Sequence, residues 1–111
     1  MIDRQKIVAL AVKGPYTSKP RPWLIVQSND FLETDSVTVC MLTGTLVQGA
    51  PMLRIDVAPS RENGLDHVSQ VQIDKIATVP REKIDHYIGR LEDHIMKPVE
   101  DAVVFLLDLK P

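Results

Sequence analysis

Short runs of apolar and β-branched residues, separated by turn residues, recur along most of the chain. Such runs predict β-strands, and the Gly, Pro and Asn residues between them predict turns. In Ser36–Thr43 the side chains should alternate, with odd-numbered residues on one face and even-numbered residues on the other. Arg81–Asp85 suits a single helical turn. The predicted strands are Lys6–Val12, Trp23–Gln27, Ser36–Thr43, Met52–Val57, Val68–Ile73, Asp74–Val79 and His86–Leu91.

From Glu92 onward the apolar positions follow a helical period instead. Glu92 and Asp93 suit the positive end of a helix dipole. Pro98 lies beyond the first turn, where it removes a backbone hydrogen bond, so we expect an irregular first turn or a regular helix that begins nearer Lys97. The pattern as a whole predicts a mainly β protein, a small and strongly bent sheet or open barrel with one C-terminal α-helix packed on it.

The composition is that of a globular protein, with 44% hydrophobic and 25% charged residues among 111. This length predicts a single domain over residues 1–111. No stretch of 18 apolar residues occurs, and the N-terminus lacks the layout of a signal peptide. The single cysteine, Cys40, can form no internal disulfide and excludes a cysteine zinc site. We therefore expect a cytoplasmic protein without a membrane span.

Charge is unevenly distributed along the chain. Residues 1–29 hold five basic side chains and one acidic side chain, whereas residues 30–111 hold eight basic and fourteen acidic ones. The N-terminal segment therefore carries a net charge of +4 although the chain carries −2. Such asymmetry can make one face attractive to phosphate on an acidic protein, although surface charge also segregates without function.

Arg21 is the most distinctive basic residue, because it stands between Pro20 and Pro22 at the entrance of a predicted strand. The prolines favour an extended backbone and stiffen the approach to the strand. A guanidinium presents a planar fork of donors that matches phosphate oxygens. The competing interpretation is a strand-edge arginine in solvent.

Thr43 ends a predicted strand directly before Gly44, which places a hydroxyl and a backbone N–H at a sheet rim. A threonine bonded only to its own turn would have the same pattern. Lys13 and Tyr16 lie in a predicted loop where they could meet a sugar-phosphate chain and a base, and a solvated hairpin loop is the alternative. Trp23 could stack on a base or pack in the core, and Cys40 is expected to pack as a small hydrophobe.

Motifs for other catalytic classes do not occur in the sequence. There is no glycine-rich phosphate loop and no H-E-x-x-H motif, and the three histidines lack metal-ligand spacing. A histidine-led mechanism requires that His67 reach the same cleft as Arg21, and an isolated surface histidine is the alternative.

Several segments taken together resemble the MazF/PemK toxins of bacterial toxin–antitoxin systems, over about Lys6 to Leu109. The order and spacing of the segments carry the resemblance more than any one of them. The matching segments are Lys19–Gln27, Val37–Thr43, Arg54–Ile55, Val57–Pro59, Asn63–Leu65, Ser69–Val71, Asp74–Arg81 and Ile88–Leu91, followed by the amphipathic helix.

This resemblance implies an SH3-like, strongly bent β-barrel that forms homodimers. It implies a metal-independent, sequence-selective endoribonuclease that needs no cofactor and cuts single-stranded RNA, mostly messenger RNA. The family's catalytic arginine and threonine fall on Arg21 and Thr43. Attack by the RNA 2′-hydroxyl would leave a 2′,3′-cyclic phosphate and a 5′-hydroxyl.

The resemblance also implies a binding groove and a protein partner. Bases splayed in a groove would be read on their edges. The partner would be a cognate antitoxin with an acidic, partly disordered tail that competes with RNA. The predicted RNA-binding residues are Lys13, Tyr16, Lys19, Ser69 and Lys75.

Two positions depart from the family pattern. Gln5-Lys6 stands where Gly-Asp is usual, and Trp23 stands where a small aliphatic residue is usual. Two alternative functions stay open, and the departures favour only the second of them. One is a CcdB-like toxin that binds DNA gyrase without catalysis, which needs a C-terminal Trp-Gly-Ile where this chain has Leu109–Pro111. The other is an inactive barrel that serves as a binding module.

Overall fold

A six-stranded antiparallel sheet and one C-terminal helix make up the fold in the computed structural model, which describes residues 3–11 and 20–110. The strand order is β4-β5-β3-β2-β1-β6. This architecture confirms the predicted fold class. The elements are β1 (Lys6–Leu10), β2 (Arg21–Ile25), β3 (Ser36–Thr43), β4 (Arg54–Val57), β5 (Ser69–Pro80), β6 (Ile84–Arg90) and α1 (Asp93–Leu106), with short 3-10 turns at Asn29–Phe31 and Arg81–Lys83.

Apolar side chains are buried on both faces of the sheet. One core cluster lies between the sheet and α1 and includes Leu42 and Val99, whereas the other lies on the opposite face and includes Val37 and Trp23. Because β3 contributes Cys40 and Leu42 to one cluster and Val37 and Val39 to the other, its predicted alternation is confirmed. Burial on both faces also explains why β1 is a continuous apolar run.

The strand β2 begins at Arg21 rather than at the predicted Trp23 and ends at Ile25. It therefore includes Pro22, which cannot donate to a strand ladder. Pairing with β1 extends back to Arg21, but pairing with β3 begins only at Trp23. Pro22 is thus tolerated where β2 has a single neighbour, and Arg21 is held in a strand rather than in a loop.

The two strands predicted over residues 68–79 are one continuous strand, β5. Its register against β3 shifts, because Cys40 faces Ile76 whereas Leu42 faces Val71. Four β5 residues therefore oppose a single β3 residue, and a bulge of this kind bends the strand. The first five residues of β5 are all buried, so the apolar–polar alternation seen there does not mark a half-buried strand.

The helix α1 begins at Asp93 with Glu92 as its N-cap, and it contains Pro98. The expectation of a start nearer Lys97 was wrong. Pro98 has no N–H to donate to the His94 carbonyl. Because both residues are exposed, water can donate a hydrogen bond to that carbonyl instead. The opposite face buries Met96, Val99 and Ala102, and this packing keeps the helix regular.

Residues 58–65, the closing loop, fill the gap between the two edge strands β4 and β6. At its centre is Asn63, which is fully buried and has all its side-chain groups bonded. Its Oδ1 accepts from the backbone N–H groups of Ser60 and Leu65, both at 3.0 Å. Its Nδ2 donates to the Ala58 carbonyl at 2.9 Å and to Glu92 Oε1 at 3.1 Å. The loop is thereby tied to the start of α1.

The closing loop meets β6 by direct backbone contact. The Arg90 N–H donates to the Glu62 carbonyl at 2.9 Å. Gly64 and Gly89 lie so close to the opposing chain that a Cβ added at either would fall 2.3 Å from a carbonyl oxygen. Glycine at both positions is what lets the loop close the barrel.

Gln5 occupies a backbone conformation that favours glycine, with φ of 77°. Its Nε2 donates to the Leu91 carbonyl at 2.6 Å and to Asp93 Oδ1 at 2.8 Å, and these contacts offset the backbone cost. Hydrogen bonds from Gln5 and from Arg90 lower the pKa of the Asp93 carboxyl. The departure from the family's glycine is therefore compensated at the start of α1.

We expect Gln5→Ala to be less stable than Gln5→Gly by about 1 kcal/mol, because both variants lose the side-chain bonds but only alanine keeps the backbone strain. Urea unfolding of the two variants measures this difference directly. Equal midpoints would show that the positive φ costs nothing at this position.

Candidate active site

A cavity of about 470 Å³ opens at the rim of the sheet, where the ends of several strands meet. Its walls come from the start of β2, the end of β3, the segment that leads from the closing loop into β5, and the middle of β6. Arg21, Thr43 and Ser69, which lie far apart in the sequence, all line this cavity. The structure therefore brings both predicted catalytic residues to one place.

Arg21 is the first residue of β2, and its side chain is exposed at the cavity. In the ladder between β1 and β2, Arg21 pairs with Leu10. Pro20 and Pro22, on either side of Arg21, also line the cavity. Within residues 3–11 and 20–110 no carboxylate pairs with Arg21, whereas Arg4 pairs with Glu100. A guanidinium placed in this way can donate two hydrogen bonds to an incoming anion.

Thr43 is the last residue of β3, and its Oγ1 accepts a hydrogen bond from the Thr45 N–H at 3.1 Å. The threonine is thus bonded to its own turn, as one interpretation of the sequence expected. That bond uses an oxygen lone pair and leaves the hydroxyl hydrogen free to be donated. The turn therefore fixes the side chain without using up its donor.

The loop that follows Thr43 is held by Gln70, which is buried and lies opposite Thr43 in the β3–β5 ladder. The Gln70 side chain bonds both backbone groups of Val47, at 2.9 and 3.0 Å. Arg54 adds a bond to the Thr45 carbonyl at 3.1 Å. Because both sides of the turn are anchored, the Thr43 hydroxyl has a defined position.

His67 lies against the same turn. A Cβ built on Gly44 would fall 2.7 Å from His67 Nε2, so the imidazole packs directly beside the residue after Thr43. Ser69 is buried, and its hydroxyl donates to the His67 carbonyl at 3.1 Å. Ser69 therefore holds the His67 segment in place and does not have its hydroxyl hydrogen free for a ligand.

Three further side chains of the cavity wall carry charge or titrate: Asp66, His86 and Tyr87. His86 Nδ1 lies 2.6 Å from Asp85 Oδ2, and the Lys6 ammonium lies 5.4 Å from the centre of the Tyr87 ring. Sequence reasoning did not select these residues. The placement of His86 and Tyr87 depends on how β6 pairs with β1, which no local pattern reveals.

Comparison with known proteins identifies the family. A model of the PemK-like, MazF-like toxins of type II toxin–antitoxin systems matches residues 3–107. The chain belongs to this family. It is 42% identical over 106 residues to the probable endoribonuclease MazF of Mycolicibacterium smegmatis, and the match covers 96% of each chain.

Solved structures show the same fold. An endoribonuclease in complex with its cognate antitoxin, from a mycobacterial species, matches with a TM-score of 0.76 and 24% identity, covering 100% of this chain and 99% of that one. The Mycobacterium tuberculosis toxin MazF-mt6 matches with a TM-score of 0.78 and 24% identity, covering 96% of this chain and 99% of that one. The bent sheet with its C-terminal helix is therefore the MazF-like fold.

None of the residues at the two departures from the usual MazF/PemK pattern is among those that line the cavity. Trp23 is buried in the core cluster on the sheet face opposite α1, so it packs rather than stacks on a ligand. Gln5 bonds the start of α1, and Lys6 lies over Tyr87. Lys6 therefore touches the cavity wall through Tyr87, whereas Gln5 and Trp23 do not line the cavity.

The predicted RNA-binding set includes four more residues. Lys75 is exposed in the bulged part of β5 and does not line the cavity. Lys13, Tyr16 and Lys19 lie outside the residues that the structure describes. For these four positions, and for Ser69, which does line the cavity, the predicted contact with RNA stays a prediction.

Cys40 is buried among apolar side chains, as expected, and burial raises the pKa of its thiol to about 12. Its Sγ donates to the Gln72 carbonyl at 2.9 Å. Across residues 3–11 and 20–110, no three His, Cys, Asp or Glu side chains are grouped so as to hold a metal ion. In that same part of the chain, no helix is both long and apolar enough to cross a membrane.

Proposed function

We propose that this toxin is an endoribonuclease that cleaves single-stranded RNA by internal attack of a 2′-hydroxyl on the adjacent phosphate, without a metal ion. The products would carry a 2′,3′-cyclic phosphate and a 5′-hydroxyl. One observation carries the proposal: the Arg21 guanidinium and the Thr43 hydroxyl, which the family resemblance selects, line one cavity at the sheet rim. The similarity to a probable endoribonuclease at 42% identity supports the reaction class.

The chemistry needs alignment of the attacking oxygen and stabilisation of an anionic, pentacoordinate phosphorane. Arg21 can donate two parallel bonds to the non-bridging oxygens. The Thr43 hydroxyl and the backbone N–H of Gly44 would complete the cradle. A guanidinium keeps its protons and is a poor base. Arg21 would therefore stabilise the negative charge on the phosphorane rather than remove the 2′-hydroxyl proton.

Recognition of RNA is proposed to use the basic N-terminal segment together with the cavity. Lys13, Lys19 and Lys75 would meet phosphates, and Tyr16 would stack on a base. Tyr87 offers a second aromatic surface, because half of it is exposed at the cavity wall. A messenger RNA substrate would place this single-domain toxin in the cytoplasm.

We further propose a cognate antitoxin and a homodimer as partners. A solved structure of the same fold is a complex with its cognate antitoxin, which supports the first. Exposed apolar side chains on the loop after β3 and at the end of α1 offer surfaces for protein contacts. They include Leu46, Val47, Met52 and Leu53 on the loop and Phe105, Leu107 and Leu109 at the helix end.

A direct test incubates the purified protein with a long single-stranded RNA of mixed sequence in EDTA and maps the fragment ends. We expect cleavage at few sites, 5′-hydroxyl ends that a polynucleotide kinase labels without prior dephosphorylation, and cyclic phosphates at the 3′ ends. The same RNA annealed to its complement is the control and should stay intact.

Two results would overturn the proposal. Intact single-stranded RNA at high protein concentration would do so, and inhibition of DNA gyrase by the same sample would then favour the gyrase-binding alternative. Cleavage that EDTA abolishes and Mg²⁺ restores would refute the metal-independent mechanism.

A further inference from the structure

We propose that His67 is the general base that removes the proton from the RNA 2′-hydroxyl. This inference rests on the proposed RNA cleavage and supplies the one group that Arg21 and Thr43 leave unassigned. The catalytic pair can bind and stabilise the phosphate, but neither side chain is a good proton acceptor near neutral pH. Imidazole is the side chain best suited to that role.

The position of the His67 ring carries the inference. Its Nε2 lies 2.7 Å from the point where a Cβ on Gly44 would be, and Gly44 directly follows Thr43. Both residues line the cavity that Arg21 also lines. A phosphate held between Arg21 and Thr43 would therefore have an imidazole nitrogen at its edge, within reach of the neighbouring ribose.

The segment that carries His67 is fixed on both sides. On one side, Ser69 is buried and donates its hydroxyl to the His67 carbonyl. On the other side, the Leu65 N–H donates to the buried Asn63 side chain at 3.0 Å. A short loop held at both ends presents a side chain in a defined place, which general-base catalysis requires.

Four described side chains that carry charge or titrate share the cavity with His67: Arg21, Asp66, His86 and Tyr87. His86 is the other imidazole, and its Nδ1 contact with Asp85 leaves Nε2 able to accept a proton, but it stands on β6, whereas Thr43 ends β3. Among the residues the structure describes, His67 is the histidine placed beside Thr43.

In the proposed step the lone pair on Nε2 takes the 2′-hydroxyl proton while the 2′-oxygen forms a bond to phosphorus. The bond from phosphorus to the 5′-oxygen breaks, and that oxygen takes a proton from water. The imidazolium then returns its proton to the hydroxide left in solution. No oxidant, reductant or metal is needed, and each proton is accounted for.

The test compares His67→Gln with the wild-type protein on an oligonucleotide that contains a mapped cut site. We expect kcat to fall by about 10²-fold or more with little change in KM, because a general base contributes about 10²–10⁴. The wild-type rate should rise with pH, because only the unprotonated base can accept the proton, and the variant should lack this rise. Binding of an oligonucleotide with 2′-deoxyribose at the cut position should be unchanged.

His94→Gln is the matched control, because His94 is exposed on α1 and does not line the cavity. It should keep both the rate and the pH dependence of the wild type. His86→Gln separates the two histidines of the cavity wall, and we expect it to keep the rise with pH. If the rise disappears in His86→Gln and persists in His67→Gln, the assignment of the base to His67 is overturned.

A substrate with sulfur in place of the 5′-bridging oxygen distinguishes a base from an acid, because a thiolate leaves without being protonated. His67→Gln should remain slow on this substrate. Recovery of the wild-type rate would identify His67 as an acid and refute the proposal, as would full activity of His67→Gln on ordinary RNA. Absence of cleavage by the wild-type protein would instead overturn the proposed function itself.

Discussion

Replacing Arg21 by alanine is expected to slow RNA cleavage by about 10²–10³-fold or more, because one donor to a developing oxyanion is typically worth that much. The loss should fall mainly on kcat, since the charge that Arg21 neutralises is greatest in the transition state. Arg21→Lys should recover only part of the rate, because an ammonium keeps the charge but lacks the planar fork.

Single-turnover cleavage of a mapped oligonucleotide measures this effect. Arg61→Ala is the matched control, since Arg61 is exposed on the closing loop and does not line the cavity. Thermal unfolding of both variants should match the wild type because both side chains are exposed. A rate for Arg21→Ala within about threefold of the wild type would remove Arg21 from the catalytic machinery, given the 10²–10³ that such a donor contributes.

Gly89→Ala is expected to destabilise the fold by about 3 kcal/mol or more. The added Cβ would lie 2.3 and 2.4 Å from backbone atoms of Asn63 and 2.7 Å from the Glu62 carbonyl oxygen. Those atoms are fixed by the buried Asn63 side chain and cannot move aside without breaking its bonds. Since domains are stable by only about 5–15 kcal/mol, much of the variant should be unfolded or insoluble.

Urea unfolding of Gly89→Ala alongside Gly49→Ala separates crowding from the general cost of replacing glycine. Gly49 has a φ of +75° but nothing within 4 Å of its added Cβ, so its substitution should cost only about 1 kcal/mol. If both variants lose the same free energy of unfolding, the closing loop can shift to accommodate the added methyl group and does not hold β6 in place.

Local patterns predicted the elements that depend on local chemistry. Ser36–Thr43 was predicted with its observed bounds and both of its faces, because its alternation and its Thr-Gly end are features of the segment itself. Arg21 and Thr43 were selected as a catalytic pair by the family resemblance, and the structure places them at one cavity.

What could not be predicted depends on partners distant in the chain. The continuity of β5 follows from a register shift against β3, and the regular start of α1 follows from packing that outweighs the effect of Pro98. His67 lies beside Gly44 because Thr43 pairs with Gln70. This pairing brings the loop that follows β3 next to the loop that precedes β5. None of these contacts leaves a signal in the local spacing of residues.

The closing loop has a consequence for how substrate preference could diverge among related toxins. Residues 60–64 of this loop are committed to the barrel through Asn63 and Gly64, and Leu65 packs against the core, whereas Asp66, which directly follows the loop, is exposed at the cavity wall. Substitutions at Asp66 would alter the wall that meets the RNA while leaving the scaffold intact. Replacement of Asp66 by each of the other residues is thus a practical route to altered cut-site specificity.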